Sequence, residues 1–258
     1  MKLISFDLKA DFAFFRKPET NATLKTLNLS YNIIHKPAVL GILGAIIGLE
    51  GYREKGKLPQ YYQVLKDIQI GIEPLNHDKG NYAKTNIKYS NTIGYANRGA
   101  NFLTEELTLI EPEYRIYLLI DETHEYHQKL SDYLSKGMAE YIPYLGKNEF
   151  TAWWNSDSYH EYKFLKREVS DEGVKIRSIF QRSINVKNNS EAPYPDIMSY
   201  DTYENPFMYF ERLPRDFDLV LIQYDITEFV YSNYLINNAQ SLKNLVYVNE
   251  LDSYVQLF

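Results

Sequence analysis

Apolar side chains occupy every second position through the first fifteen residues, at Ile4, Phe6, Leu8, Ala10, Phe12 and Phe14. A period of two puts them on one side of an extended chain, which predicts a long β-strand with one apolar face. A polar stretch over 16–30 follows, and Tyr31-Asn32-Ile33-Ile34-His35-Lys36 then leads into Pro37 and an apolar run. Proline suits the first helical turn, where its missing N–H would have had no partner, so a helix is expected from 37 to about 51. Gly41, Gly44 and Gly48 fall on neighbouring turns of that helix. Each costs it about 1 kcal/mol relative to alanine, which implies that a sheet backbone or a ligand backbone packs closely against that face.

Alternation returns at Ile68, Ile70 and Ile72 before Pro74, and predicts a second strand. From 76 to 101 the apolar pattern lapses into an Asn-, Gly-, Lys- and Tyr-rich stretch, expected to be a long loop, and a loop of that length is usually functional or disordered. Strand patterns resume at 103–110 and 114–120, separated by the turn signal Glu111-Pro112-Glu113. Asp121 or Thr123 is placed to cap a second helix with Tyr126, Leu130, Tyr133 and Leu134 at the helical period and Gly137 as its stop. From 144 onward the signals are short strands, at 149–154, 174–184, 207–213, 217–224 and 245–248, with no third helix of comparable quality. This order predicts an α+β protein: a ferredoxin-like domain over 1–143 with an insertion at about 76–101, then a β-rich domain over 144–258.

Cysteine is absent from the 258 residues, which excludes disulfides, thiolate metal sites and a catalytic thiol. The longest apolar stretch, 38–49, is far shorter than the roughly 20 residues needed to span a bilayer. The alternating N-terminus does not read as a signal peptide, so a cytoplasmic protein without a membrane partner is expected. The net charge of −6 hides an uneven distribution: residues 1–110 hold 14 Lys and Arg against 10 Asp and Glu, and the remainder carries the excess of acid. One end is thus suited to a polyanion and the other to protein or solvent. The basic end includes Arg16, Lys17, Lys25 and Lys36, and the 76–101 stretch adds Lys79, Lys84, Lys88 and Arg98 against Asp78 alone. Tyr82, Tyr89 and Tyr95 lie among those cations, a combination suited to single-stranded RNA, with phosphates neutralised by lysine and unpaired bases stacked on tyrosine.

Catalytic and metal chemistry find less support. His124-Glu125-Tyr126-His127 is one residue short of the His-Glu-x-x-His spacing that sets two ligands on one helical face, so no metal and no cofactor are expected. Neither a phosphate-binding loop nor a G-x-S-x-G elbow is present. Tyr31, His35 and Lys36 stand close together before the helix and form the alternative catalytic set, that of a metal-independent ribonuclease activating a ribose 2′-hydroxyl.

Several segments resemble the CRISPR-associated RAMP proteins, and among them the CRISPR-associated protein 5 family of type I-B. They are 6–16, ending F-A-F-F-R; 31–51, reading Y-N-I-I-H-K-P-A-V-L-G-I-L-G-A-I-I-G-L-E-G; 101–117, ending E-P-E-Y-R-I-Y; 144–150, reading Y-L-G-K-N-E-F; and Glu211-Arg212-Leu213-Pro214. The resemblance implies a modified, RRM-like ferredoxin domain, a thumb-like insertion matching 76–101, and a smaller C-terminal β domain. It implies a non-catalytic subunit of the Cascade effector complex in antiviral defence that binds the 5′ handle of the CRISPR RNA. The backbone RAMP subunit and the large subunit would be its protein partners, and target DNA would be met indirectly. The handle-contacting region would include Arg16, Tyr31, Lys36 and the helix start from Pro37 to Gly41. Type I-C relatives cut RNA with a tyrosine, which Tyr31 can match, and an adjacent lysine and histidine. Here Asn97-Arg98-Gly99-Ala100 offers no Lys-His pair, so an enzyme is not expected.

Overall fold

The structure, a computed structural model, describes residues 1–18, 27–91, 102–166, 173–182, 192–198, 204–218, 221 and 223–258. The N-terminal alternation forms β1 (Lys2–Lys9), and the chain then bends into β2 (Phe12–Ala13) and β3 (Phe15–Arg16) instead of continuing as one strand. After β4 (Leu27–Tyr31) come α1 (Lys36–Ile47), the short α2 (Gln60–Leu65) and β5 (Gln69–Leu75). A hairpin of β6 (Lys84–Asn91) and β7 (Phe102–Ile110) precedes β8 (Glu113–Ile120), α3 (Glu125–Lys136) and β9 (His160–Tyr162).

Strands β5-β8-β1-β9 make one four-stranded sheet, and every pairing in it is antiparallel. With α1 between β1 and β5, and α3 between β8 and β9, this is the ferredoxin-like order expected from the sequence. The even positions of β1 face the helices: Ile4, Phe6 and Leu8 share a core with Leu40 and Leu43 of α1 and Leu130 and Leu134 of α3. The odd face, expected to be polar, is also covered. Leu3, Tyr117 and Leu119 pack there against Val246, Val248, Val255 and Leu257, residues of or beside the hairpin β17 (Leu245–Val248) and β18 (Ser253–Gln256). Gly71 in β5 makes this approach feasible, since a Cβ on it would lie 2.8 Å from Val255 Cγ1 and 3.1 Å from the Gln256 carbonyl oxygen.

The turn signal at Glu111-Pro112 does not fold β7 back onto β8. β8 pairs with β1 and β7 pairs with β2, so a bend carries one strand pair from the central sheet into a second sheet, where β4 runs parallel to β7. Much of the stretch expected to be a loop is therefore strand: 84–91 forms β6, paired to β7 from Lys84↔Leu109 to Asn91↔Phe102. Residues between β9 and the C-terminal hairpin build the short strands β10 (Phe164–Leu165), β11 (Val174–Lys175), β12 (Phe180–Gln181) and β13 (Tyr194–Pro195). They also build a long hairpin of β14 (Met208–Asp218) and β15 (Gln223–Ser232), followed by β16 (Leu235–Asn237). The expected strand at 149–154 is reduced to the isolated bridges Tyr144↔Thr151 and Lys9↔Trp153.

Both main helices start and stop where local chemistry directs. His35 is the N-cap of α1, its Nδ1 accepting the Ala38 N–H, and Gly48 ends the helix in the left-handed region at φ 79°. α3 begins at His124, not at Asp121 or Thr123, because the Asp121 carboxylate turns to the N–H and hydroxyl of Thr123. No helix among the described residues is long and apolar enough to cross a membrane.

Gly41 and Gly44 of α1 pack not against a sheet backbone but against the side chain of Tyr61 on α2, and a Cβ on Gly44 would lie 2.3 Å from Tyr61 Cβ. Alanine is the better helix former by about 1 kcal/mol, but overpacking a tight site costs about 1–3 kcal/mol. Gly44→Ala is therefore expected to lower the urea midpoint of unfolding; a raised midpoint would remove the packing explanation.

Candidate nucleic-acid interface

Five stretches that are distant in sequence converge on one cleft of about 1540 Å³ on the flank of the central sheet. Its walls come from 14–18, from one face of α1 including Pro37 and Gly41, from 49–53 with Tyr61, from 141–147, and from the start of β15 at Tyr224. Pairing of Phe15 with Tyr31 joins the first wall to the floor, and the Ser30 hydroxyl reinforces it by accepting the Phe15 N–H and donating to the Tyr31 carbonyl. Gly146 has φ 88°, and a Cβ there would meet the Phe14 carbonyl oxygen at 1.9 Å. Only glycine admits this contact, which sets the neighbouring Lys147 beside the rings of Phe14 and Phe150 and 4.1 Å from the centroid of Tyr89.

Tyrosines dominate the mouth: Tyr52, Tyr141, Tyr144 and Tyr224 are all exposed. Burial raises the pKa of the Tyr61 hydroxyl, and the nearby hydroxyls of Tyr52, Tyr224 and Tyr144 add to the rise. Arg16, Lys17, Arg53 and Lys147 supply positive charge, against Glu50 and Glu106. Lys17 pairs with buried Glu211 at 2.7 Å, Arg53 with Glu50 at 2.7 Å, and Lys147 with Glu106 at 2.8 Å. Burial opposes the charge on Lys147, but its bonds to Glu106, Tyr89 and Glu149 outweigh it and raise the pKa.

The residues singled out from the sequence divide clearly. Arg16, Lys17, Tyr31, His35, Pro37 and Gly41 all line the cleft. Lys36 does not join Tyr31 and His35: its ammonium bonds the Phe258 carbonyl at 3.0 Å, and burial lowers its pKa. Tyr82 is buried, with its hydroxyl between the Glu113 carbonyl and the Leu75 N–H, so its ring is closed to a stacking base. Lys84 is half-buried and braces Asn32 Oδ1 at 2.9 Å and the Tyr82 carbonyl at 3.2 Å. Lys79 sits exposed in a left-handed turn, and Lys88 is exposed beside Glu105 at 3.4 Å; neither lines the cleft. Tyr89 lies under Lys147. Tyr95, Arg98 and Lys25 lie outside the described residues. Tyr52, Arg53, Tyr61, Tyr141, Tyr144, Lys147 and Tyr224 were not singled out as site residues.

His127 and His77 are engaged in internal hydrogen bonds. His127 Nδ1 accepts the Asp121 N–H, which leaves the proton on Nε2 and no lone pair for a metal, although its ring lies 4.5 Å from that of His124. Among the described residues no group of three or more potential ligands is assembled. His77 Nδ1 likewise accepts the Gly80 N–H, while its Nε2 meets the Tyr231 hydroxyl at 3.0 Å.

Fold and cleft together define an α+β protein of ferredoxin-like topology with a tyrosine-rimmed, cation-bearing cleft. No protein-family model matches the chain, and no curated protein matches it. Among solved structures it is similar to a chain of a CRISPR RNA-guided surveillance complex, at 12% identity and TM-score 0.47, over 90% of this chain and 91% of that one. It is also similar to a CRISPR protein from Archaeoglobus fulgidus, at 11% identity and TM-score 0.49, over 99% and 98% of the two chains. A chain of the type III-B Cmr-beta complex bound to cognate target RNA aligns at 12% identity and TM-score 0.46, over 92% and 86%.

Burial lowers the pKa of His35 to about 3 and also lowers those of His77 and His127. In the unfolded chain each titrates near 6.5. Below that pH the unfolded state binds more protons, so stability is expected to hold above pH 6.5 and to fall as pH drops from 6.5 toward 3. Urea midpoints at pH 7.5 and 5 read this effect in a window above most carboxylate titration. His35→Asn, whose Oδ1 can still cap Ala38, is expected to reduce the difference. Equal midpoints in the unaltered protein would contradict it.

Proposed function

We propose that this chain is a non-catalytic subunit of a cytoplasmic CRISPR surveillance complex that holds single-stranded CRISPR RNA in the tyrosine-rimmed cleft. One observation carries the reading: four of the five segments that resemble the CRISPR-associated protein 5 family line this cleft, and the fifth holds one of its lysines. Phe14 to Arg16, Tyr31 with Pro37 and Gly41, Glu106, and Tyr144 with Lys147 line it, while Glu211 anchors Lys17 at its edge. Exposed tyrosines beside cations suit unpaired nucleotides, whose bases stack and whose phosphates are neutralised. The finer assignment follows from the same resemblance: a type I-B subunit that takes the 5′ handle and joins the backbone and large subunits, with its acidic C-terminal part turned to protein or solvent.

Two features support a binding role over catalysis. Lys36 is held away from Tyr31 and His35. His35 spends its Nδ1 lone pair on the Ala38 N–H and carries its proton on Nε2, so the imidazole has no vacant site for a 2′-hydroxyl proton.

Replacing Arg16 and Arg53 together by alanine is expected to weaken binding of single-stranded repeat RNA. Two lost phosphate contacts should flatten the slope of log K against log salt by about 1.4. Unchanged affinity and slope would take the cleft out of the account. Incubated with labelled repeat RNA in EDTA, the protein is expected to leave it intact; a discrete cut abolished by Tyr31→Phe would establish a ribonuclease instead.

A further inference from the structure

Two polar groups in the cleft have no partner among the described residues. The His35 imidazole accepts the Ala38 N–H at Nδ1, at 3.3 Å, which fixes the neutral tautomer with its proton on Nε2. No described acceptor meets that Nε2–H, and no described group meets the Tyr31 hydroxyl, yet among the described residues no fully buried side-chain polar atom lacks a partner. Neither group is therefore fully sealed, and the cleft that both residues line is the space available to a partner for them. Aromatic rings surround them: His35 lies 5.4 Å from Tyr31, 6.0 Å from Phe15 and 6.1 Å from Tyr224 between centroids.

We propose that His35 and Tyr31 form a base-reading subsite within the cleft, where the His35 Nε2–H donates to a carbonyl oxygen or ring nitrogen of one unpaired nucleobase lying against Tyr224. The proposal rests on the RNA-binding reading above and adds where sequence preference arises. A neutral donor enclosed by rings matches the edge of a planar base. A phosphate would be drawn to the charged Arg16 and Arg53 of the same cleft. His35 is an obligate donor in this tautomer, so the subsite selects bases that present an acceptor; the Tyr31 hydroxyl can donate or accept and adjusts to the neighbouring group.

Two substitutions separate capping from reading. Asparagine at 35 can keep the cap to Ala38 but loses the distal N–H, whereas glutamine can place an N–H near the Nε2 position. Fluorescence anisotropy of the full chain with short oligouridylate, oligocytidylate, oligoadenylate and an abasic ribose-phosphate oligomer reads both effects. The unaltered protein is expected to bind the base-bearing oligomers unequally and all of them above the abasic one. His35→Asn should cost the preferred oligomer about tenfold, the size of one net hydrogen bond, and leave abasic binding unchanged; His35→Gln should retain the preference. Tyr31→Phe, which keeps the ring, should also weaken the preferred oligomer selectively, and it decides the matter if the His35 variants do not fold. Equal binding of all four oligomers, or a loss in the variants that is the same for the abasic oligomer, overturns the subsite alone. Failure of every oligomer to bind overturns the RNA reading along with it.

Discussion

The Glu211 carboxylate lies buried on β14, where the backbone N–H groups of Asn32 and Ile33 reach it at 3.0–3.1 Å and the Lys17 ammonium at 2.7 Å. A carboxylate taken out of water costs several kcal/mol unless its lone pairs are satisfied, so these donors hold their positions together. Asn32 extends the constraint: its side chain binds the Gly80 carbonyl, the Tyr82 N–H and Lys84, and its carbonyl accepts the Tyr114 hydroxyl. One buried charge thereby fixes the turn after β4, the entry to the β6–β7 hairpin and the start of β8. Tyr31 and His35 flank that turn, so the cleft floor inherits its geometry from an ion pair behind it.

The central sheet explains why the proposed binding surface does not lie on its open face. In RRM-type sheets the face opposite the helices carries the aromatic residues that stack bases. Here that face is covered by the C-terminal hairpin, and its polar groups are engaged internally: Glu73 accepts from Arg177 and the Tyr117 hydroxyl, and Ser5 meets Tyr162. Aromatic surface suited to bases has moved to the rim around Tyr52, Tyr141, Tyr144 and Tyr224. The bend at Glu111-Pro112 assists by turning a continuing strand pair away from the central sheet and toward the cleft wall.

The ferredoxin-like order was legible because β1, β5, β8, α1 and α3 each carry an apolar period against a shared core. The double coverage of the sheet was not, although Gly71 within a strand marked a close approach. α2 is six residues long and too short to show a period, and β9 is a three-residue edge strand of polar composition. β6 was hidden because a hairpin outside the core needs no fully apolar face; its Lys84, Lys88 and Tyr89 look alike in sequence but serve as a brace, a surface ion pair and a platform for Lys147. The cleft was half visible. The segments 14–18 and 31–41 announced themselves by motif, whereas Tyr52, Arg53, Tyr141 and Tyr224 come from loop and strand ends that only tertiary folding brings together.

The prior pairing of Arg53 and Lys147 with Glu50 and Glu106 gives the cleft the character of an ion exchanger. An arriving phosphate does not meet bare cations; it displaces carboxylates that already hold them. A mononucleotide brings one such displacement and gains little, while a strand brings both at once, the second made easier by the first. On the proposed RNA-binding reading, discrimination between polymer and monomer would be built into the resting state of the protein.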